Sequence, residues 1–164
     1  MLKMNSIQEE LMVEDFDLID LIQSILKRYD VLKETEKYEF IFNYPKESIM
    51  IHADKKKMEQ VIYNLINNAI QYTGDDNTIY IDINIEKDVI VKIRDTGKGI
   101  DKKEIPYIWD KYYKNKKKHK RNLVGTGLGL SIVKNILELH KYEYGVKTKK
   151  DKGSNFYFII PKEK

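Results

Sequence analysis

The chain has 164 residues, 41% of them hydrophobic and 34% charged, with a formal net charge of +4. That length suits one domain with enough apolar residues for a core under a polar surface. There is no cysteine, which excludes a disulfide framework and a thiolate metal site, and no apolar run nears the roughly 18 residues that would span a bilayer. No signal peptide is visible, so the expected location is the cytoplasm, whether or not a longer parent protein is anchored in a membrane.

Residues 1–14 are polar with scattered apolar positions and read as the remnant of a linker, leaving residues 15–164 as the domain proper. Asp15 or Asp17 is placed to cap a helix that carries Leu18, Leu21, Ile22, Ile25, Leu26 and Tyr29 at helical spacing. Tyr38, Phe40 and Phe42 alternate as a half-buried strand does, and residues 49–51 form a short second strand after the turn at Pro45. Over 56–72, Met58, Val61, Ile62, Leu65, Ile66 and Ala69 make one apolar stripe. Asn64, Asn68 and Gln71 fall on its flank, within roughly 60° of one another. Ile79, Ile81, Ile83 and Ile85 then alternate with polar residues, and Val89, Val91 and Ile93 continue in a partner strand after a Glu86-Lys87-Asp88 hairpin turn. Residues 101–124 lack periodicity and read as a long loop, a length that is usually functional or disordered. A helix over 128–140 and strands over 144–148 and 155–160 complete an α+β pattern. It is a two-layer α/β sandwich, with a mixed sheet covered on one face by helices.

Four segments carry chemistry. Asp95 ends a strand and opens the turn Asp95-Thr-Gly-Lys-Gly-Ile100. A carboxylate buried there needs hydrogen-bond donors, and the exocyclic amine of adenine is one. Gly97 and Gly99 would supply positive φ and close backbone approach to a flat ring. A surface Asp-Gly turn fits this segment alone equally well. Gly125, Thr126, Gly127, Leu128, Gly129 and Leu130 open a helix, where free amides and glycine flexibility favour an anion. The spacing is neither that of a P-loop nor that of a dinucleotide fingerprint. Asn68 offers a neutral oxygen to magnesium, which takes few protein ligands when phosphates and water supply the rest. From Lys111 to Arg121, seven of eleven residues are basic. Alone this run reads as a solvated loop or a nucleic-acid contact. Its place between two candidate nucleotide segments favours phosphate. An aspartic protease also carries Asp-Thr-Gly, but needs two copies and leaves Asn64, Asn68 and the second glycine run without a role.

Taken together, Asn64 to Tyr72, Asp95 to Ile100, the aromatic-basic Ile108-Trp-Asp-Lys-Tyr-Tyr-Lys114 and Gly125 to Ser131 resemble the catalytic ATP-binding domain of two-component sensor histidine kinases, in the group that includes gyrase, Hsp90 and MutL. The resemblance spans about residues 15–161 and includes the ending Gly153-Ser-Asn-Phe-Tyr-Phe-Ile-Ile-Pro161. It implies a Bergerat-type fold, ATP and Mg2+ as ligands, and a γ-phosphate passed to a histidine on a separate dimerisation domain. By that resemblance Asn64 and Asn68 belong to the N box, with Asn68 the magnesium ligand and Tyr72 beside the adenine. Asp95 would bind the adenine amine, with Gly97, Gly99 and Ile100 shaping the turn. Tyr113 and Lys114 would lie along the ribose and phosphates, the second glycine run beneath the phosphates, and residues 101–124 would be the ATP lid.

Two departures are visible. Gln71 stands where the family usually has Lys or Arg, which removes one phosphate contact and raises the alternative of a nucleotide-binding pseudo-kinase without phosphotransfer. Trp109 replaces a usual phenylalanine, and a lysine of the same segment a usual arginine, whose bidentate contact it cannot make. Asn64 occupies the position where gyrase-like ATPases resemble one another in carrying a water-activating glutamate. An amide cannot act as a general base, which implies transfer rather than hydrolysis. No catalytic side chain is assigned, and His52, His119 and His140 do not stand in the setting of a phosphoacceptor. The expected partners are the histidine-bearing dimerisation domain and, through it, a response regulator, with no nucleic acid and no membrane contact.

Overall fold

A computed structural model describes residues 10–110 and 129–162. The elements follow in the order β1 (Val13–Asp17), α1 (Leu18–Lys27), α2 (Asp30–Thr35), β2 (Glu39–Asn43), β3 (Met50–Asp54), α3 (Lys55–Tyr72), β4 (Thr78–Ile85), β5 (Val89–Asp95), a 3-10 turn (Ile105–Tyr107), α4 (Gly129–Leu139), β6 (Glu143–Lys149) and β7 (Gly153–Ile160). Five strands form a mixed sheet in the order β2-β4-β5-β7-β6, parallel between β2 and β4 and antiparallel elsewhere.

The period-2 isoleucine pattern explains the sheet. Ile79, Ile81 and Ile83 of β4 share one face with Val91 and Ile93 of β5 and with Phe156 and Phe158 of β7, all buried. Against that face lies α3, whose stripe from Met58 to Ala69 is buried along its whole length. Helices α1 and α4 flank α3 and complete the helical layer. Each fully buried isoleucine or leucine contributes roughly 1.5–3 kcal/mol relative to exposure. The alternation ends at Ile85, which is exposed near the tip of the β4–β5 hairpin. That hairpin closes where the Glu86 N–H donates to the Asp88 carbonyl, at the turn read from the sequence.

Two features differ from the sequence reading. Val13 and Glu14, in the stretch read as linker, pair with Asp54 and Ala53 in β1. And β1 with β3 makes a separate two-stranded ribbon, not a part of the main sheet. The apolar side chains of this ribbon that turn inward, towards α1 and α3, are Phe16, Ile51 and Ala53, with Asp54 buried at its end. The other face carries an Asp15–His52 contact of 2.7 Å, so Asp15 serves the ribbon while Asp17 caps α1 by accepting the Ile19 N–H at 2.9 Å.

Asp54 ties three segments together. Its carboxylate caps α3 through the Lys57 N–H at 3.2 Å and takes the Met12 N–H at 2.9 Å. Its own N–H donates to His140 Nε2 at 3.1 Å, while His140 Nδ1 donates to the Ile136 carbonyl at 2.9 Å. Opposite roles at the two ring nitrogens fix the tautomer protonated at Nδ1. The helical layer is thereby joined at the N-terminus of α3 and the C-terminus of α4.

Candidate functional site

Strand β5 lies in the middle of the sheet and delivers Asp95 at its C-terminal end, on the face covered by helices. Asp95 is 3% exposed. One carboxylate oxygen accepts the Gly97 N–H at 2.8 Å, and the Ser154 N–H also supports the charge. Burial outweighs these donors and, with help from the nearby Asp76 charge, pushes the Asp95 carboxyl up to about 6. A carboxylate held so far from water, at the open end of a central strand, is suited to a ligand that brings its own donor.

Of the two glycines expected to turn the backbone after Asp95, one does so and the other does different work. Gly99 has the positive φ read from the sequence, +81°, and a Cβ there would come 2.5 Å from the Lys149 carbonyl oxygen. Gly97 does not lie in the left-handed region. Its requirement is steric: a Cβ would sit 1.9 Å from the Tyr72 carbonyl oxygen, because the end of α3 lies directly on the turn. On the other side the Ile100 N–H donates to Thr148 Oγ1 at 2.9 Å and the Asp151 N–H to the Lys98 carbonyl at 2.8 Å. The Asp95 turn is thus gripped between α3 and the β6–β7 turn.

On α3, Asn64 and Asn68 are half-buried on the flank, and Tyr72 is half-buried at the C-terminus beside Gly97. Gln71, which the flank placement grouped with them, is buried at 7% exposure. Asn67 was not singled out by the sequence, yet it is the asparagine of this helix that is buried. It accepts the Tyr29 hydroxyl at 2.7 Å and so joins α3 to the segment after α1. The described part of helix α4 starts at Gly129, half-buried with Leu130. Tyr113, Lys114, Gly125, Thr126, Gly127, Leu128 and His119 lie outside the described residues.

The stretch read as a loop over 101–124 is built at its start. Residues 105–107 form the 3-10 turn, Ile108 is buried, and Trp109 packs edge-on against Tyr144 at 5.0 Å and Phe156 at 5.6 Å. The rest, 111–124, lies outside the described residues.

Two residues were missed as neighbours of Asp95. Gly153 has φ +95°, and a Cβ there would meet the Asp95 carbonyl oxygen at 2.0 Å. Ser154 is buried, supports the Asp95 carboxylate through its N–H, and places its hydroxyl 3.0 Å from Thr148 Oγ1. A Gly-Ser pair opening the last alternating strand was the available signal, and its register against β5 puts Asn155 opposite Arg94.

The profile of the family described as "Histidine kinase-, DNA gyrase B-, and HSP90-like ATPase" matches residues 53–164. The chain belongs to that family. It is 32% identical over 151 residues to "Sensor histidine kinase WalK" of Bacillus subtilis, covering 90% of this chain and 24% of that protein. It is 40% identical over 123 residues to "Sensor protein SrrB" of Staphylococcus aureus, covering 74% of this chain and 21% of that protein. The chain therefore spans about a quarter of the length of these relatives. Among solved structures, the catalytic domain of histidine kinase ThkA superimposes with a TM-score of 0.79 at 27% identity, covering 93% of this chain and 97% of that one. The α+β fold with its mixed five-stranded sheet is that of a histidine kinase catalytic domain.

Proposed function

We propose that this chain binds Mg-ATP and presents the γ-phosphate to a histidine on a dimerisation domain that lies elsewhere. The observation that carries the reading is Asp95, a single carboxylate buried at the end of the central strand with its backbone turn locked on both sides. In this reading the carboxylate accepts from the adenine amine, and Gly97, Gly99 and Ile100 hold the turn that aims it. Tyr72 closes one side of the base. Asn64 and Asn68 face the phosphates from α3. Gly129 and Leu130 belong to the helix whose N-terminal amides lie beneath them. For Tyr113, Lys114, Gly125, Thr126, Gly127 and Leu128 the assignment rests on the sequence motif alone, as does that of the remainder of the lid.

Magnesium fits the donors present only in partnership with nucleotide. Among the described residues no group of three or more His, Asp or Glu is placed to hold a metal ion. A half-buried amide oxygen on Asn68 suits a hard cation that keeps phosphate and water ligands. When bound, the ion would neutralise phosphate charge. The chain's own residues orient the nucleotide, and Asn64 offers no base to activate water. Phosphoryl transfer then needs an incoming imidazole nitrogen, with the bond to the β,γ-bridging oxygen breaking as ADP leaves. His140 is engaged at both ring nitrogens and so is not suited to that part, while His52 lies with Asp15 on the outer face of the ribbon. A response regulator would receive the phosphate in turn.

Calorimetry with ADP and ATP, in the parent and in Asp95→Asn, tests the binding. Transfer of radiolabel to a dimerisation domain supplied in trans tests the kinase. The buried Gln71 favours a second reading, a nucleotide-binding module without transfer. Tight ATP binding with no label on the supplied domain would select it.

A further inference from the structure

The connection from α3 to β4 is tied to the Asp95 turn by more than packing. Thr96 Oγ1 donates to Asp76 Oδ1 at 2.6 Å, and the same hydroxyl accepts the Gly74 N–H at 3.3 Å. The Thr96 N–H in turn donates to Thr73 Oγ1 at 3.4 Å, and Thr73 Oγ1 donates to the Thr78 carbonyl at 2.8 Å. Asp76 Oδ1 also accepts the Thr78 N–H at 3.1 Å, which holds the carboxylate in place under the Thr96 hydroxyl. The result is a clasp of two threonines and one aspartate joining the connection over 73–78 to the segment over 95–97.

The Thr96–Asp76 part of the clasp adds little burial, since Asp76 is exposed and Thr96 half-buried, while Thr73 is buried. What the bonds fix is position. Thr96 is the covalent neighbour of both Asp95 and Gly97, and Gly74 already presses on it, since a Cβ on Gly74 would come 2.6 Å from the Thr96 carbonyl oxygen. A hydrogen bond from a planar base to a carboxylate weakens steeply as its angle departs from linear. The turn must therefore be held relative to α3, which carries the rest of the proposed site.

We propose that Thr96 and Asp76 are positioning residues for adenine recognition: the hydroxyl–carboxylate bond between them aligns Asp95 with the exocyclic amine and so sets the preference for adenine over a 6-oxopurine. This rests on the adenine role given above to Asp95. A carboxylate attracts the amine of adenine and repels the carbonyl of hypoxanthine, so alignment matters for adenine and hardly at all for the other base.

The test is the affinity of the 164-residue chain for ADP and for inosine diphosphate, by calorimetry, in the parent and in Thr96→Val, Thr96→Ser, Asp76→Ala and Asp95→Asn. Loss of one hydrogen bond of about 0.5–1.5 kcal/mol corresponds to about 2–10-fold. Thr96→Val and Asp76→Ala are expected to weaken ADP by that factor and inosine diphosphate by less than twofold. Thr96→Ser is expected to restore the parent ratio. Equal weakening of both nucleotides, or a parent-like ratio in Thr96→Val and Asp76→Ala, overturns the proposal. Because Asp76 is exposed, Asp76→Ala still decides the matter if Thr96→Val does not fold. If Asp95→Asn removes the ADP preference while the clasp variants keep it, the positioning role alone fails. If Asp95→Asn leaves the preference intact, the adenine role of Asp95 fails and the clasp proposal falls with it.

Discussion

The two ends of the candidate site use glycine for different reasons. At the Asp95 end, Gly74, Gly97 and Gly153 each have a backbone carbonyl oxygen within 2.6 Å of where a Cβ would sit. These glycines let three chain segments meet around one buried carboxylate. At the other end, Gly129, the first described residue of α4, has nothing among the described residues within 4 Å of its would-be Cβ. Packing within the described fold does not demand a glycine there. A glycine that the fold requires and a glycine that only a ligand would require are indistinguishable in the sequence, but they respond in opposite ways to the same methyl group.

The largest effect is expected at Gly153. Alanine there must adopt φ near +95° and push a Cβ into the Asp95 carbonyl oxygen. Strain and overpacking together should cost on the order of 3–5 kcal/mol, a large part of a typical domain's stability. Chemical denaturation should show the loss, and a melt matching the parent would mean the β7 start relaxes freely. The next effect is a split at Asp95. Asparagine should abolish adenine-nucleotide binding, while raising the stability of the nucleotide-free protein at pH 7–8. Burial raises the Asp95 carboxyl to about 6, so its stabilising protonated form is fully present below about pH 4 and is lost as the pH rises through about 6. A neutral amide escapes that loss, a gain on the order of 2–3 kcal/mol. The same titration predicts that ADP binding to the parent weakens as the pH falls from 7 to 5. Flat binding across that range would separate Asp95 from the base.

The main layers were legible because their signals are local. Period-2 isoleucines in β4 and β5 and the 3.6-residue stripe of α3 each declare a face without reference to the rest of the chain. Asp95 was legible for a similar reason, as a carboxylate at the end of a strand and the start of a glycine turn. The β1–β3 ribbon was not legible, since it buries only three apolar side chains and pairs Phe16 with Ile51 across two helices and a strand. Nor were Gly153, Ser154 and the Thr73–Thr96–Asp76 clasp, which matter through contacts between distant segments. Gly97 was found for the wrong reason: the Tyr72 carbonyl, not φ, excludes a side chain there. Trp109 was read as part of a loop because one aromatic in a polar stretch has no period, yet it anchors on Tyr144 and Phe156.

A smaller effect is expected at the phosphate end. Asn68 is half-buried on α3, and among the described residues no hydrogen bond ties it to the core, unlike Asn67 with its Tyr29 partner. Asn68→Ala should leave the melting temperature close to the parent's and leave ADP binding without magnesium less affected, while altering the magnesium dependence of ATP binding. Identical magnesium titrations in mutant and parent would remove Asn68 as a ligand.

The smallest effect on the fold is expected at Gly129, and it completes the contrast between the two ends. Among the described residues alanine meets nothing there, and a helix former replaces the first described residue of α4. Helix propensity favours the change by up to about 1 kcal/mol, less at a helix end than in its interior. The thermal melt should therefore hold or rise slightly. If the glycine serves close approach of phosphates to the α4 amides, ATP affinity should fall in this same variant, although the fold is intact. A stable Gly129→Ala protein with weakened ATP binding assigns that glycine to the ligand. Unchanged affinity would leave it without a role in nucleotide binding, and a loss of stability like that of Gly153→Ala would mean that the packing contrast between the two ends is wrong.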